Sequence, residues 1–267
     1  MFINAMSEPR TKPPTARRRA AYAVAFAVLC AALVMVVAMP IAGASKAKVI
    51  GHTKHTPKAS CPNIKDTSHC NVIGRVTGFM TAADGRKHPF RVPSDGKLVA
   101  WAVDLGKPVN KHKGQKLGQR KFFASLFENK QYGKQPTGRI AVLKHKGGVQ
   151  YKLMHQSPVV QLGGVLGRKQ IFTLNKPLTV RKGTIVAFTS PTWTPDFTDV
   201  NVSGNGNKWR SSRKKGHCQP RHNTDTAKHR FARNSHAQQK VRSVRDYECS
   251  YTGGRILYWA YFTPKSK

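Results

Sequence analysis

The stretch Leu178-Thr179-Val180-Arg181-Lys182-Gly183-Thr184-Ile185-Val186-Ala187-Phe188-Thr189 constrains the fold more than any other part of this chain. β-Branched and aromatic residues dominate both arms, and such side chains suit a pleated, half-buried surface. Lys182-Gly183 separates the arms, and glycine accepts the positive φ that tight turns require. Pro177 opens the first arm at a position that needs no ladder donor. The reading is strand, tight turn, strand: a core hairpin that ends at Pro191. An aromatic loop bracketed by prolines follows, Pro191-Thr192-Trp193-Thr194-Pro195.

The same pattern recurs along the chain. Val72–Met80 reads as a strand with bends at Gly74 and Gly78. In Leu98–Leu105, Val99, Trp101, Val103 and Leu105 alternate onto one face, which makes Trp101 a core residue. Arg139–Leu143 and Val149–Met154 flank His145-Lys146-Gly147-Gly148 as a hairpin. Val159–Leu162 and Ile171–Leu174 are shorter strands joined by a glycine-rich connection without the spacing of a phosphate loop. Arg255–Thr263 is apolar on both faces, as a central strand should be. One short amphipathic helix fits Phe122, Phe123, Leu126 and Phe127. Many short strands without βαβ alternation predict an all-β fold: a two-layer antiparallel β-sandwich, jelly-roll-like.

The N-terminus is of another kind. Residues 1–19 are polar and basic, 20–39 are continuously apolar, and Pro40 precedes Ile41-Ala42-Gly43-Ala44. That order is an export signal, cleaved after Ala44, or a retained membrane anchor, because 20 apolar residues suffice to span a bilayer. Arg17–Arg19 place the remainder outside in either case. Cys30 follows Leu29, which does not suit a lipobox. Residues 45–70 read as a basic linker and a small stapled loop, and 71–267 as the sandwich domain. An extracellular or cell-surface location follows, with the membrane met only through the N-terminal segment.

Cys61, Cys70, Cys218 and Cys249 remain beyond the signal, and an even count in an exported chain implies two disulfides. Three pairings are open; proximity in sequence favours Cys61–Cys70 and Cys218–Cys249. The net charge is +36, and residues 45–267 hold 42 Lys and Arg against 10 Asp and Glu. Such a field favours polyanions, among them an anionic cell-envelope polymer or a polysaccharide, although it also serves solubility alone. Residues 203–248 concentrate it, with 12 Lys and Arg between Lys208 and Arg245 and one acid, Asp225. Their sparse, aperiodic apolar content predicts a basic, disordered insertion.

Leu178–Phe188, Pro191–Phe197, Trp209-Arg210-Ser211-Ser212-Arg213 and Cys218 together resemble uncharacterised exported β-sandwich proteins of high-GC Gram-positive (actinobacterial-type) bacteria. Gly96–Trp101 and Ile140–Leu143 fit the same pattern. The resemblance spans roughly residues 70–265. It implies the exported compartment and the sandwich, and carries no catalytic residue.

For chemistry, glycosidases need two carboxylates facing one bond. Asp196 and Asp199 are the close pair outside the basic tail, and Asp104 at a strand end is the third candidate of an extracellular polysaccharide-acting hydrolase. Pairing with Lys or Arg is the commoner role for such carboxylates. His217, His222, His229 and His236 cluster near Cys218, but without the spacing of a zinc site. No nucleophile elbow occurs. The sequence therefore implies no cofactor, no metal and no specific nucleic acid, and leaves the oligomeric state open. Binding candidates are Trp193, whose commoner role would be core packing but which would stack on a sugar if exposed, and Trp209, Arg210, Arg213, Lys214 and Lys215, which suit a polyanion. The leading expectation is a non-catalytic exported or membrane-anchored β-sandwich that holds an anionic envelope polymer. The alternatives are the hydrolase and a structural envelope protein with no ligand.

Overall fold

The computed structural model describes residues 47–61, 72–108, 133, 135–199, 202, 206–218 and 236–266. All lie in the unit Ser45–Lys267. The expected short helix, the signal or anchor segment and Cys70 lie outside the described residues.

The strands run in chain order β1 (Lys48–Ile50), β2 (Ile73–Ala83), β3 (Arg86–Lys87), β4 (Gly96–Asp104) and β5 (Thr137–Gly147). Next come β6 (Gln150–Gln156), β7 (Val160–Gln161), β8 (Lys169–Val180), β9 (Ile185–Thr194) and β10 (Phe197–Thr198). The last are β11 (Lys208–Ser211), β12 (Val244–Asp246), β13 (Cys249–Thr252), β14 (Arg255–Ile256) and β15 (Tyr258–Pro264). One four-stranded sheet has the order β1-β15-β4-β8, and the larger sheet follows β12-β6-β5-β9-β2-β11-β13. All pairings are antiparallel, and β10 with β14 forms a small third ladder. The protein is an antiparallel β-sandwich, and the only helical turn among the described residues is Gly163–Val165.

Two faces meet in the core. From the small sheet come Leu98, Trp101, Val103, Tyr258, Ala260 and Phe262; from the large sheet come Val76, Met80, Ile140, Val142, Val186 and Phe188. Trp101 stacks on Phe172 with centroids 4.5 Å apart and meets Phe188 at 6.0 Å. The Tyr258 hydroxyl crosses the core and donates to the Val186 carbonyl at 3.0 Å. Gly78 is a paired residue rather than a bend, and a Cβ there would press on Ile256 and Trp209 at 3.0 and 3.2 Å. The bulge expected nearby falls between Gly74 and Val76, with Arg75 at φ 49°.

The structure departs from the expected hairpin at Lys182-Gly183. The two arms do not pair: β8 joins β4 in the small sheet, and β9 lies between β5 and β2 in the large one. The turn itself is present, with Gly183 at φ 82° and Thr184 N–H bonded to the Arg181 carbonyl at 3.1 Å. It carries the chain from one layer to the other. β9 also continues through Pro191 to Thr194, so the proline-bracketed segment is largely strand. By contrast, β5 and β6 form the expected hairpin, and β15 is central to its sheet.

Residues 47–61 are not a free linker. β1 pairs with β15, the Ser60 N–H bonds the Phe197 carbonyl at 3.0 Å, and Ala59 packs beside Leu257 and Trp259. Nor are the ends of the basic segment disordered. β11 inserts between β2 and β13, β12 extends the sheet beside β6, and Trp209 and Tyr247 are buried. Aromatic packing explains this: Tyr247 meets Phe79 and Tyr151 at 5.7 and 5.1 Å.

Candidate functional site

The outer face of the large sheet carries a polar row where an apolar one would have needed a third layer. Arg139, Thr189 and Thr77 lie side by side on neighbouring strands, and Ser212 follows them through its N–H bond to the Thr77 carbonyl. The Thr77 and Thr189 hydroxyls share a hydrogen bond at 2.9 Å. Buried groups of this kind must be paired, and the chain returning at 236–248 pairs them. The Gln238 N–H donates to the Thr77 hydroxyl at 3.0 Å. Its side-chain amide donates to the Ser243 carbonyl at 2.9 Å and accepts from the Tyr247 hydroxyl at 2.8 Å. Gln238 thus fixes the returning segment to the sheet.

The outgoing end of the basic segment is fixed beside it. After β11 the chain turns at Lys214–His217, with Gly216 at φ 81° and the His217 N–H bonded to the Lys214 carbonyl at 3.0 Å. Cys218 then bonds to Cys249 on β13 in a disulfide, whose Cys249 sulfur lies 3.4 Å from the Lys214 carbonyl. Cys61 is disulfide-bonded too. Disulfides of this kind belong to an oxidising compartment. Between the two fixed ends lies a cavity of about 360 Å³, lined by Ser212, Arg213, Lys214, His217, His236 and Arg245. None of the described residues that line it carries a carboxylate. Arg213 is held by the Tyr251 hydroxyl at 3.1 Å, and Arg245 by the His236 carbonyl. Backbone and side-chain contacts therefore set these cations in place before any ligand arrives.

The expected binding residues divide accordingly. Arg213 and Lys214 line the cavity, and Lys215 is exposed on the adjoining turn. Arg210 is committed to the Tyr247 carbonyl at 2.8 Å. Trp209 is buried, stacked on Tyr251 at 4.4 Å and edge-on to Phe197 at 5.9 Å. Trp193 is sealed inside β9, where its indole N–H donates to the Gly133 carbonyl at 3.2 Å. Neither tryptophan presents a ring to solvent. Ser212, His217, His236 and Arg245 line the cavity without having been binding candidates, and the two histidines stood out in the sequence only as possible metal ligands; His236 and Arg245 lie 23 and 32 residues beyond Arg213 and meet it only through the fold.

The aspartates behave differently. The Leu257 N–H bonds the Asp196 carbonyl at 2.7 Å and the Leu257 carbonyl accepts from the Asp104 N–H at 2.9 Å, so their backbones flank one residue. Their side chains part. Asp104 is half-buried, which raises its carboxyl above the ordinary value, while Lys169 and Lys58 pull the other way. Asp196 is fully enclosed, and among the described residues no other residue donates a hydrogen bond to its carboxyl oxygens. Burial pushes that carboxyl well above the usual range. Asp199 is half-buried on the short stretch after β10. None of the three lines the basic cavity, and an enclosed Asp196 does not reach a polymer. Among the described residues, no group of three His, Cys, Asp or Glu is placed to hold a metal ion.

Asp196 yields a stability prediction. A carboxyl raised on folding stabilises fully below its unfolded value near 3.8 and loses that contribution as pH rises through the folded value. Asp196→Asn, which never ionises, is therefore expected to leave stability at about pH 4 nearly unchanged and to raise it at neutral pH. Urea titrations at the two pH values check this. Equal effects at both would refute it.

No protein-family model, no curated protein and no solved structure matches this chain.

Proposed function

We propose that this protein is a non-catalytic β-sandwich of the cell envelope, exported or membrane-anchored, that holds an anionic polymer at the cavity between the ends of its basic segment. The observation that carries this reading is the cavity formed by Arg213, Lys214, His217, His236 and Arg245, which no carboxylate among the described residues lines. Arg213 and Arg245 stand there on preset contacts, and the exposed Lys214 adds a third charge. Such a site recognises repeating phosphate or carboxylate groups without selecting one sugar or base. The net charge of the chain adds long-range attraction. The disulfides support an oxidising compartment, and the basic-then-apolar N-terminus supports export. The likeness to exported actinobacterial-type proteins stands as part of the same proposal.

The hydrolase reading gains no support from the geometry, because Asp196 is enclosed and Asp104 faces lysines. A structural role without a ligand is the outcome if binding fails. Lys214→Glu with Lys215→Glu is expected to weaken retention on a teichoic-type polymer or heparin at least about tenfold, with a shallower salt dependence. Both side chains are exposed, so melting should shift little. Wild-type protein that fails to bind any polyanion at low salt would remove the proposal.

A further inference from the structure

The two faces of the small sheet differ, and the outward one is not fully covered by the described chain. Residues 51–61 cross it at one end, where Ala59 packs beside Leu257, Trp259 and Ala102. The other end stays open. There the registers set Thr263 beside Lys97 and Lys97 beside Thr179, and Val49 beside Tyr261. A groove of about 790 Å³ runs here, lined by Lys97, Val99, Thr179, Arg181, Thr263 and Lys265, with Asp95 at its edge. Asp95 already accepts the Lys182 N–H at 2.7 Å. Val49, on the same face, is 41% exposed. Val49 and Val99 beside Lys97, Arg181 and Lys265 make an amphipathic face.

This is also where the chain enters the domain. Lys48 pairs with Phe262, next to Thr263 of the groove. Seven residues, 40–46, separate the apolar run 20–39 from Ala47. A chain that long reaches at most about 25 Å.

We infer that the open half of this face is a membrane-docking surface, whose occupant is a bilayer leaflet bearing anionic phospholipid headgroups. Lys97, Arg181 and Lys265 meet headgroup phosphates, while Val49 and Val99 meet the interfacial region. Clustered cations and exposed apolar side chains act together on such lipids. A short tether raises the effective concentration of the surface at the bilayer, so weak individual contacts suffice. The inference rests on residues 20–39 as a membrane-seeking segment and goes beyond polymer binding, which uses a different cavity.

The test uses the full chain reconstituted into vesicles of phosphatidylcholine, with or without about one-third phosphatidylglycerol, labelled by a membrane-impermeant amine reagent. The expected result is labelling of Lys97 and Lys265 slowed several-fold relative to Lys214 and Lys215. The difference should appear only with phosphatidylglycerol and fade at about 0.5 M salt, where screening shortens electrostatic reach. Arg181→Glu, at an exposed position, should restore rapid labelling of Lys97 and Lys265 without changing the melting temperature. Uniform labelling, or protection of Lys214 and Lys215 instead, would overturn the inference. Polymer retention by the same charge-reversed variant stays intact if the two surfaces are independent, so failure here is distinguishable from failure of the proposed function.

Discussion

Replacing Arg255 with methionine is expected to cost about 3 kcal/mol and to release residues 51–61 from the sandwich. Arg255 is almost fully buried, and both of its terminal nitrogens are bonded. One terminal nitrogen reaches Asp84 at 2.8 Å and the His55 carbonyl at 3.0 Å, and the other reaches the Thr53 hydroxyl at 2.6 Å. Methionine fills the stem but supplies none of these donors. The remaining groups then lie partly buried without their partner, which is the costly way to break such a pair. The estimate sits at the low end for buried pairs because the Asp84 side chain is 20% exposed. Urea unfolding measures the loss, and limited proteolysis within 51–60 should accelerate in parallel.

The pH dependence gives a separate check. Burial raises the Asp84 carboxyl, but the Thr53 hydroxyl and the Arg255 guanidinium outweigh it and hold the group below its ordinary value. A depressed carboxyl stabilises above its unfolded value, and that contribution is lost as pH falls through the folded value. Arg255→Met should flatten this acid limb. An unchanged slope would mean that Arg255 acts through packing alone. The contact matters beyond stability, because residues 51–61 lead from β1 across the outward face and help set where the chain enters the domain.

The second large effect concerns Cys218 and Cys249. Their separation is 31 residues, and a loop of that length is worth about 3–4 kcal/mol in the chain-entropy account. Replacing both by serine should lower stability by that amount. Polymer retention should weaken further than stability alone explains, because the bond fixes the Lys214 turn against β13. Comparing binding at a temperature where both proteins remain folded separates the two effects. Full retention by the serine variant would show that Gln238 and the Tyr251–Arg213 contact hold the cavity unaided.

Part of the site was legible in the sequence. The run Arg213-Lys214-Lys215 stood out by charge, and Cys218 and Cys249 by proximity. Core packing is the commoner role for a tryptophan, and Trp193 follows it; Trp209 was not legible as a core residue, because an aromatic beside arginine reads the same whether it faces water or another strand. Burial depends on what the opposite segment supplies: Gly133 for Trp193, and Tyr251 and Phe197 for Trp209. The ends of the basic segment read as disordered because their apolar residues are few. Trp209 and Tyr247 are enough, since each docks on aromatics already present in the sheet.

The segment around Lys182-Gly183 separates what each level decides. By itself the sequence determined strand, turn and strand there, because side-chain branching and glycine at positive φ are local properties. It determined the all-β class in the same way, by repetition of that pattern. It did not determine that β8 and β9 belong to different layers. A turn of this length serves a hairpin or a passage between sheets equally well. The choice lies in long-range partners: β4 completes the ladder of β8, whereas β2 and β5 enclose β9 on both edges. The same long-range pairing brings His236 and Arg245 to Arg213 and makes a cavity of charges that the sequence keeps apart.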